Sequence, residues 1–432
     1  MNDRDFNQGL LEFIEQSPTA FHAVEQMRQM LTAAGFEQLE EDRYWTQKPS
    51  SSCFVIRNGS SIVAVRNGAY HPAEEGLRLI GAHTDSPCLK IRPSPEISRH
   101  GCFQLGVEIY GGVLLSPWFD RDLSLAGRVS CRMESGDVGS LLINFRRPVA
   151  TVPSLAIHLN RKVHKKRTIN PQNEVVLLLQ SVGDRQPDFR DLLRDQAWQE
   201  HPDTPVSEVL DYEISCYDTQ PPAFLGLNGD FIASARLDNL LSCYAGCRSL
   251  IESDGKSTAV LVCNDHEEVG SQSASGAQGP FLSSVLKRLC GSDEKMDRAI
   301  SQSILISVDN AHAVHPNYED RHDPQRRPVL NGGPVIKYNA GQRYATNSEG
   351  SAFLRNIFRE LDIPVQQVAM RSDMVCGSTI GPITAAELGI RTVDIGAPQL
   401  AMHSLRELTG RDDPPILYRA LRGFLDRPSL WS

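Results

Sequence analysis

Residues 258–272 read TAVLVCNDHEEVGSQ and join a short apolar run to a group of ionisable side chains. The run at 258–262 has the length and composition of a buried β-strand. Asp265, His266, Glu267 and Glu268 follow where that strand is expected to end. Two adjacent carboxylates alone favour a solvated acidic loop. Their position after the apolar run instead favours a site in which one carboxylate binds metal and the other is a general base toward a metal-bound water.

The composition indicates a folded protein of ordinary type. The 432 residues suit two domains or one domain with an insertion, and 40% are hydrophobic and 22% charged. The net charge of −9 and the single short basic run at 161–167 argue against nucleic-acid or membrane partners. That run is expected to be a solvated loop or an interface edge. Ten scattered cysteines without a C-x-x-C pair, and no signal-peptide or membrane-length apolar stretch, predict a cytoplasmic protein.

The order of predicted elements gives the fold class. A helix is expected around 10–14 and another over 17–35, with Ser17 as its cap, followed by strands at 53–56, 61–65 and 76–82. From 93 to 234, short strand-like runs, among them VPSLAIHL at 152–159, surround one predicted helix at 187–201. From 235 onward, helices and strands alternate. The sequence therefore predicts an α/β fold with a largely parallel central sheet flanked by helices, formed by 1–92 and 235–432, and a β-rich insertion at 93–234.

Metal-binding residue types follow several of the predicted α/β strands. They include His83 and Asp85, Glu267 and Glu268, and Asp309, while His403 follows the last strand in a loop. Because ligands bind at the carboxyl ends of the strands in open α/β sheets, these residues are expected to converge on one site.

Each of these residues also has an ordinary interpretation. His83-x-Asp85 fits a solvated turn, but its two-residue step also lets the carboxylate hold the imidazole in the tautomer that binds metal. Asp238 fits an acid in the first turn of a helix, and it is also the best candidate to bridge two metals. Asp309 fits a strand cap, and His403 a structural histidine. Only the joint arrangement makes metal ligation the better interpretation. Histidine and carboxylate ligands without cysteine suit Zn²⁺, with Mn²⁺ or Co²⁺ as alternatives.

Long stretches of the chain resemble the M18 family of metallo-aminopeptidases, the aspartyl aminopeptidase group. The resemblance is carried by SPTAFHAV, GAHTDSPCLKIRP, YGGVLLSPWFDRDLSLAGRV, SLAIHLNR, FIASARLDNLLS, NDHEEVGSQSASGAQG, VDNAHAVHPNYEDRHDP, GPVIKYNAGQRYATN, CGSTIGPI and DIGAPQLAMHSLRE. It implies a dizinc exopeptidase fold and hydrolysis of the N-terminal residue of peptides.

The resemblance also implies a role for each candidate residue. It assigns two zinc ions per subunit, with His83 and Asp309 on one, Glu268 and His403 on the other, and Asp238 between them. Glu267 is the implied general base and Asp85 the partner of His83. The resemblance implies a dodecamer built from dimers, with the insertion as the dimerisation domain. His158, which by sequence alone is an ordinary strand histidine, is implied to reach the active site of a partner subunit, near metal and substrate.

Substrate preference stays open at this stage. A preference for N-terminal Asp or Glu requires a cation, and the resemblance points to Lys337 with Tyr344 and His312 as neighbours, although a surface lysine and a packed tyrosine are equally good interpretations. The alternatives are a related dizinc deacylase or carboxypeptidase, and a non-catalytic metal-stabilised assembly protein. An unligated base such as Glu267 argues against the latter. Asp265 and His266 have no predicted role.

Overall fold

The structure is a computed structural model, and it describes residues 2–45, 52–182 and 186–430. In these ranges the strands are β1 Glu37–Gln38, β2 Ser52–Arg57, β3 Ser61–Arg66, β4 Arg78–His83, β5 Cys88–Arg99, β6 Cys102–Tyr110, β7 Leu123–Met133, β8 Val138–Asn144, β9 Val176–Ser181, β10 Val206–Asp218, β11 Ala223–Leu225, β12 Phe231–Ser234, β13 Ala259–Asn264, β14 Ile304–Val308, β15 Ala311–His312, β16 Val335–Tyr338, β17 Gln366–Ala369, β18 Arg391–Gly396, β19 Pro398–Leu400 and β20 Glu407–Gly410. The helices are α1 Asp3–Glu15, α2 Ala20–Ala33, α3 Pro72–Glu75, α4 Pro171–Glu174, α5 Phe189–Glu200, α6 Leu237–Glu252, α7 Phe281–Cys290, α8 Asp293–Ser301, α9 Ser348–Glu360, α10 Ile380–Leu388 and α11 Asp413–Leu425.

The main sheet has the strand order β1-β2-β3-β13-β4-β14-β18-β16-β17. Its centre, β13-β4-β14-β18, is parallel, whereas β3 and β16 run antiparallel to their neighbours β13 and β18. Every residue of β13 is buried. Along this strand Leu261 and Cys263 pack into one apolar cluster, and Val260 and Val262 into another. Alternating side chains thus bury both faces of the sheet, which explains why the strand reads as a continuous apolar run.

The register of the parallel strands brings their carboxyl ends to one edge. Asn264, the last residue of β13, pairs with His83, the last residue of β4. On the other side of β4, Ser307 of β14 pairs with Gly81. Each of these strands is followed by polar residues. The side chains predicted to follow the strand ends therefore lie at this one edge of the sheet.

Two compact units make up the chain. The first contains residues 1–85, 222–402 and 407–432, and the second contains 86–221 and 403–406. The second unit has its own sheet, in the order β8-β7-β10-β5-β6-β9, with antiparallel neighbours and its own apolar core. The predicted helix at 187–201 is present in it as α5, capped by Asp188. The dimerisation role of this β-rich region stays a prediction.

A smaller sheet in the first unit has the order β11-β12-β20-β19-β15. It carries Glu407 at the start of β20 and His312 at the end of β15. All ten cysteines lie in the described ranges and are free thiols. No helix within those ranges combines the length and the apolar character needed to cross a membrane.

Two predicted details are wrong. Thr19, rather than Ser17, is the N-cap of α2, because Ser17 precedes Pro18 and is itself fully buried. The predicted strand at 152–159 is absent. Residues 153–159 are exposed and form turns, and only Val152 makes an isolated bridge, to Phe119. An apolar run without a neighbouring strand has no ladder to join, so His158 is not a strand residue.

Arg78 forms hydrogen bonds that join the C-terminal segment to the amino end of the central sheet. It begins β4, and its side chain is completely buried. The guanidinium donates to the backbone carbonyls of Arg427 at 3.1 Å, Pro428 at 3.0 Å and Glu75 at 3.2 Å. Burial lowers the pKa of Arg78. A buried guanidinium is tolerated here because carbonyl oxygens replace its hydration.

We expect Arg78→Met to destabilise the protein by about 3 kcal/mol, since it leaves several buried carbonyl groups without a donor. Thermal unfolding followed by circular dichroism measures the effect as a lower apparent melting temperature. Arg4→Met, at an exposed position in α1, is the matched control and should melt like the unaltered protein. Equal melting of the two variants would contradict the role assigned to Arg78.

Candidate metal centre

His83 ends β4 and is oriented by Asp85. Its Nδ1 lies 3.1 Å from the backbone oxygen of Asp85 and 3.4 Å from Oδ1 of the same residue. An Nδ1–H that donates to Asp85 makes Nε2 the nitrogen that can bind a metal. This Nε2 lies 3.4 Å from Oδ1 of Asp238 and 3.8 Å from Oδ1 of Asp309. The imidazole therefore faces carboxylates from two further elements of the fold.

Asp85 also holds the turn that carries the paired glutamates. Its Oδ1 accepts a hydrogen bond from the backbone N–H of Glu267 at 3.2 Å, and its Oδ2 accepts one from Glu268 at 3.1 Å. One carboxylate thus fixes both His83 and the backbone of Glu267 and Glu268. Its position in the structure suits a residue that orients the site.

The turn after β13 depends on Asp265 and His266, which had no predicted role. The N–H of Asp265 donates to Ser61 Oγ at 2.9 Å, and its Oδ1 accepts from the N–H of His266 at 2.8 Å. His266 is in the left-handed region at φ 65°, and the 3₁₀ turn Glu267–Val269 follows. These contacts turn the chain back at the sheet edge, so that both glutamates follow the buried strand closely.

Asp238 lies in the first turn of α6 with an extended backbone, φ −82° and ψ 106°, before a cis peptide bond to Asn239. Its N–H donates to Oε2 of Glu407 at 2.9 Å, and Glu407 is buried. The side-chain amide of Asn239 donates to the backbone oxygen of Val308 at 2.8 Å. Asp238 is therefore held by the smaller sheet on one side and by β14 on the other. Glu407 was not predicted, and its only signal in the sequence is an acid within the run SLRELTG.

Asp309 follows β14 and forms an ion pair with Lys337 of β16. The Lys337 ammonium is 3.3 Å from Oδ2 of Asp309, and both residues are buried. Burial alone would raise the pKa of Asp309, but the charges of Lys337 and His83 outweigh it and hold that pKa well below its usual value. The ammonium also lies 5.3 Å from the ring centroid of Tyr344. His312, the third residue of the predicted trio, is exposed at the end of β15, and its part in substrate recognition stays a prediction.

The two glutamates titrate abnormally because they are buried among other acids. Burial raises the pKa of Glu267 to about 8, with the charges of Asp309 and Asp85 acting in the same direction and His83 against them. Burial also raises the pKa of Glu268 well above its usual value. For His83, burial would lower the pKa, but the surrounding carboxylates raise it well above its usual value. The neighbouring carboxylates contribute to each of these three pKa shifts, and a bound divalent cation would offset their negative charge.

The donor set fits a zinc site. One nitrogen of His83 and carboxylate oxygens of Asp238 and Glu268 all lie within 4.8 Å of one another. Glu267 Oε2 is 4.0 Å from the same imidazole nitrogen. Imidazole nitrogen with carboxylate oxygen is a ligand combination that Zn²⁺ accepts, and the charges of these acids exceed what Lys337 balances.

Two of the predicted residues, His403 and His158, belong to the second unit. His403, half-buried, belongs to the second unit, with its Nδ1 3.1 Å from the backbone oxygen of Gly112. His158 is exposed in the same unit. Asp394, in the first unit, is fully buried inside β18, where it accepts from Thr379 Oγ1 and from the N–H of Ala345, both at 2.6 Å. The roles of His403 and His158 stay predictions.

Comparison with known proteins identifies the family. Residues 13–425 match the sequence profile described as Aminopeptidase I zinc metalloprotease (M18). The chain belongs to the M18 family. A relative from Pseudomonas fluorescens SBW25, named a probable M18 family aminopeptidase 2, is 55% identical over 97% of both chains. One of the same name from Ectopseudomonas mendocina is 56% identical over 98% of both chains.

Solved structures agree with this membership. A structure described as the Ape4 and Nbr1 complex is 36% identical, with a TM-score of 0.94 over 98% of this chain and 86% of that one. Another, described as an mApe1 dodecamer of S. cerevisiae, is 27% identical, with a TM-score of 0.85 over 99% of this chain and 98% of that one. The predicted family, the α/β fold and the class of enzyme, a metallo-aminopeptidase, are confirmed.

Glu407→Leu should weaken zinc binding by about tenfold to a hundredfold, because the N–H of Asp238 loses its buried acceptor and the carboxylate is no longer held in place. Competition with a chromophoric chelator measures the affinity. Glu407→Gln keeps an acceptor oxygen and should stay within a few-fold of the unaltered protein. If both variants bind zinc like the unaltered protein, Glu407 does not position Asp238.

Proposed function

We propose that this M18 protein is a zinc-dependent aminopeptidase that hydrolyses the first peptide bond of peptides, with Glu267 as its general base. The observation that carries this proposal is the crowding of buried carboxylates around His83, with Glu267 4.0 Å from the imidazole nitrogen. A site of purely structural metal binding has no need of an additional buried acid. Membership of a zinc metalloprotease family supports the same conclusion.

Charge supports two zinc ions per subunit. The carboxylates of Asp85, Asp238, Glu267, Glu268 and Asp309 outnumber the cationic groups among them, Lys337 and the imidazole of His83, and the excess negative charge favours more than one divalent cation. We propose that His83 and Asp309 hold one ion, Glu268 and His403 the other, and that Asp238 serves both. When bound, zinc lowers the pKa of water and polarises a carbonyl group.

The residues of the chain supply the proton transfers. Glu267 takes a proton from the attacking water and passes it to the nitrogen of the leaving amine, which requires a carboxylate that titrates near neutral pH. Burial provides such a pKa, about 8 before any cation is bound, and a bound cation acts to lower it. Asp85 keeps Glu267 in place through the backbone N–H and keeps His83 in one tautomer.

Assembly is proposed to complete the site. A structure similar to this chain is described as a dodecamer, which supports a homo-oligomer built from dimers. We assign the dimer contact to the second unit. His158 is exposed in that unit, as a residue must be if it is to reach the active site of a partner subunit.

Lys337 supports a preference for acidic N-terminal residues. Its ammonium has three donors, and its charged partner in the described part of the chain is Asp309, at 3.3 Å. A substrate carboxylate can therefore approach a cation that is already buried and oriented. The competing role, in which Lys337 only holds Asp309, predicts loss of zinc rather than loss of selectivity when the lysine is replaced.

We expect Glu267→Gln to lower kcat by about 10²–10⁴-fold while zinc content is unchanged, because the amide keeps the shape of the side chain but cannot accept the proton. Steady-state kinetics and elemental analysis of the same preparation measure both quantities. Glu268→Gln is the matched control at the adjacent position and should lose zinc. Loss of zinc from the Glu267 variant would show that Glu267 is a ligand and the base assignment wrong.

A panel of aminoacyl chromogenic substrates, assayed with Zn²⁺, Mn²⁺ and Co²⁺, tests the reaction and its selectivity. We expect cleavage only of substrates with a free α-amine. A chelator should abolish this cleavage, and added metal should restore it. Lys337→Met should reduce the ratio of kcat/KM for Asp or Glu over Leu while zinc stays bound. Cleavage of N-acetylated substrates would identify a deacylase or related hydrolase instead, and an unchanged ratio would remove Lys337 from substrate recognition.

A further inference from the structure

A cavity of about 200 Å³ in the first unit opens beside β15 and β17, and nothing in the proposed reaction uses it. His312 and the segment 321–326 form one wall, and the residues from Val368 to Met374 form the other. Lys337 and Tyr344 are not among the residues that line it. Part of its lining is apolar, contributed by Val368, Ala369, Met370 and Met374.

Three arginines line the cavity, against a single lining carboxylate, Asp323. Arg371 is held in place by a bidentate ion pair with Asp373, at 2.9 and 2.6 Å. Arg321 is only loosely paired, at 3.7 Å, with the exposed Asp320. Arg326 forms no ion pair or hydrogen bond with any residue that the structure describes, and it is exposed. The cavity therefore presents, beside the oriented Arg371, one guanidinium that has no direct ion-pair partner in the described part of the chain.

A neutral histidine adds a hydrogen-bond donor to this wall. Nε2 of His322 accepts the backbone N–H of His315 at 3.1 Å, so the ring of the neutral form carries its proton on Nδ1. Burial and the nearby His315 lower the pKa of His322, which keeps the ring neutral. Donors on an apolar lining are the surroundings in which an oxyanion is bound by charge-assisted hydrogen bonds.

Two of the residues that line the cavity, His312 and Val368, are linked through the fold to residues of the metal centre. His312 follows Asp309 by three residues, a distance of about 10 Å at most for an extended chain. Val368 pairs in register with Lys337, whose ammonium contacts Asp309. An extended peptide advances by about 3.3 Å per residue. A peptide whose first bond lies at the metal centre is thus long enough to place one of its next few residues in the cavity.

We propose that this cavity binds an acidic side chain of the peptide substrate beyond the scissile bond, with Arg326 as its main cation. This proposal rests on the proposed aminopeptidase activity. The cavity then selects among peptides that share the same first residue, a selectivity separate from that of Lys337. Inorganic anions share the same chemistry and are distinguished by the test.

The test uses zinc-loaded full-length protein and C-terminally amidated peptides that share one first residue and carry a single Glu or Gln at positions two to five. The unaltered protein should show a KM about threefold to tenfold lower for one Glu peptide than for its Gln counterpart. Arg326→Gln should remove this difference and leave kcat and the hydrolysis of an aminoacyl anilide unchanged. Arg4→Gln, the same charge change in α1, should keep the difference.

Each other outcome has a distinct meaning. Equal KM values for all Glu and Gln pairs in the unaltered protein, or a difference that survives in Arg326→Gln, would overturn the proposal. Sulfate that competes with peptide only when Arg326 is present, without any Glu preference, would mean that the cavity takes free anions and would also overturn it. Failure of the unaltered protein to hydrolyse the anilide would instead refute the aminopeptidase activity itself.

Discussion

Repulsion among buried carboxylates is the constraint on which the rest of this structure depends. Asp238, Asp309, Glu267 and Glu268 surround His83 in a region with little access to water, where unpaired charge is costly. The fold offsets part of that cost with fixed donors and one ammonium. A bound divalent cation would offset the remainder, so the same arrangement of acids favours metal.

Donors from distant parts of the chain keep the acids in place. Asp85 accepts hydrogen bonds from two backbone N–H groups in the turn after β13, and Asp309 forms an ion pair with Lys337 of β16. Glu407, from the smaller sheet, holds the backbone of Asp238. Each contact joins elements that are far apart in sequence. Positioning is therefore a property of the sheet edge as a whole, and a change remote from the metal ligands can alter metal affinity.

Much of the fold was readable from local patterns. Residues 259–262 of the predicted run lie in the fully buried strand β13, and the strands predicted at 53–56 and 61–65 are present as β2 and β3, because chain period is a local property. The strand predicted at 152–159 failed for the opposite reason. Whether an apolar run forms a strand depends on a neighbouring strand with which it can form a ladder, and residues 153–159 have no strand partner in the described part of the chain.

The sequence by itself determined the α/β alternation, the family and the types of side chain available for metal binding, since these depend on residue identity and spacing. Tertiary structure alone decided which acids share one space. It buried Asp394 inside β18 and brought Glu407 against Asp238. It also gave Asp265 and His266 their part in the turn that positions Glu267 and Glu268. The physical reason is that desolvation and pairing depend on distances across the folded chain, which residue order does not encode locally.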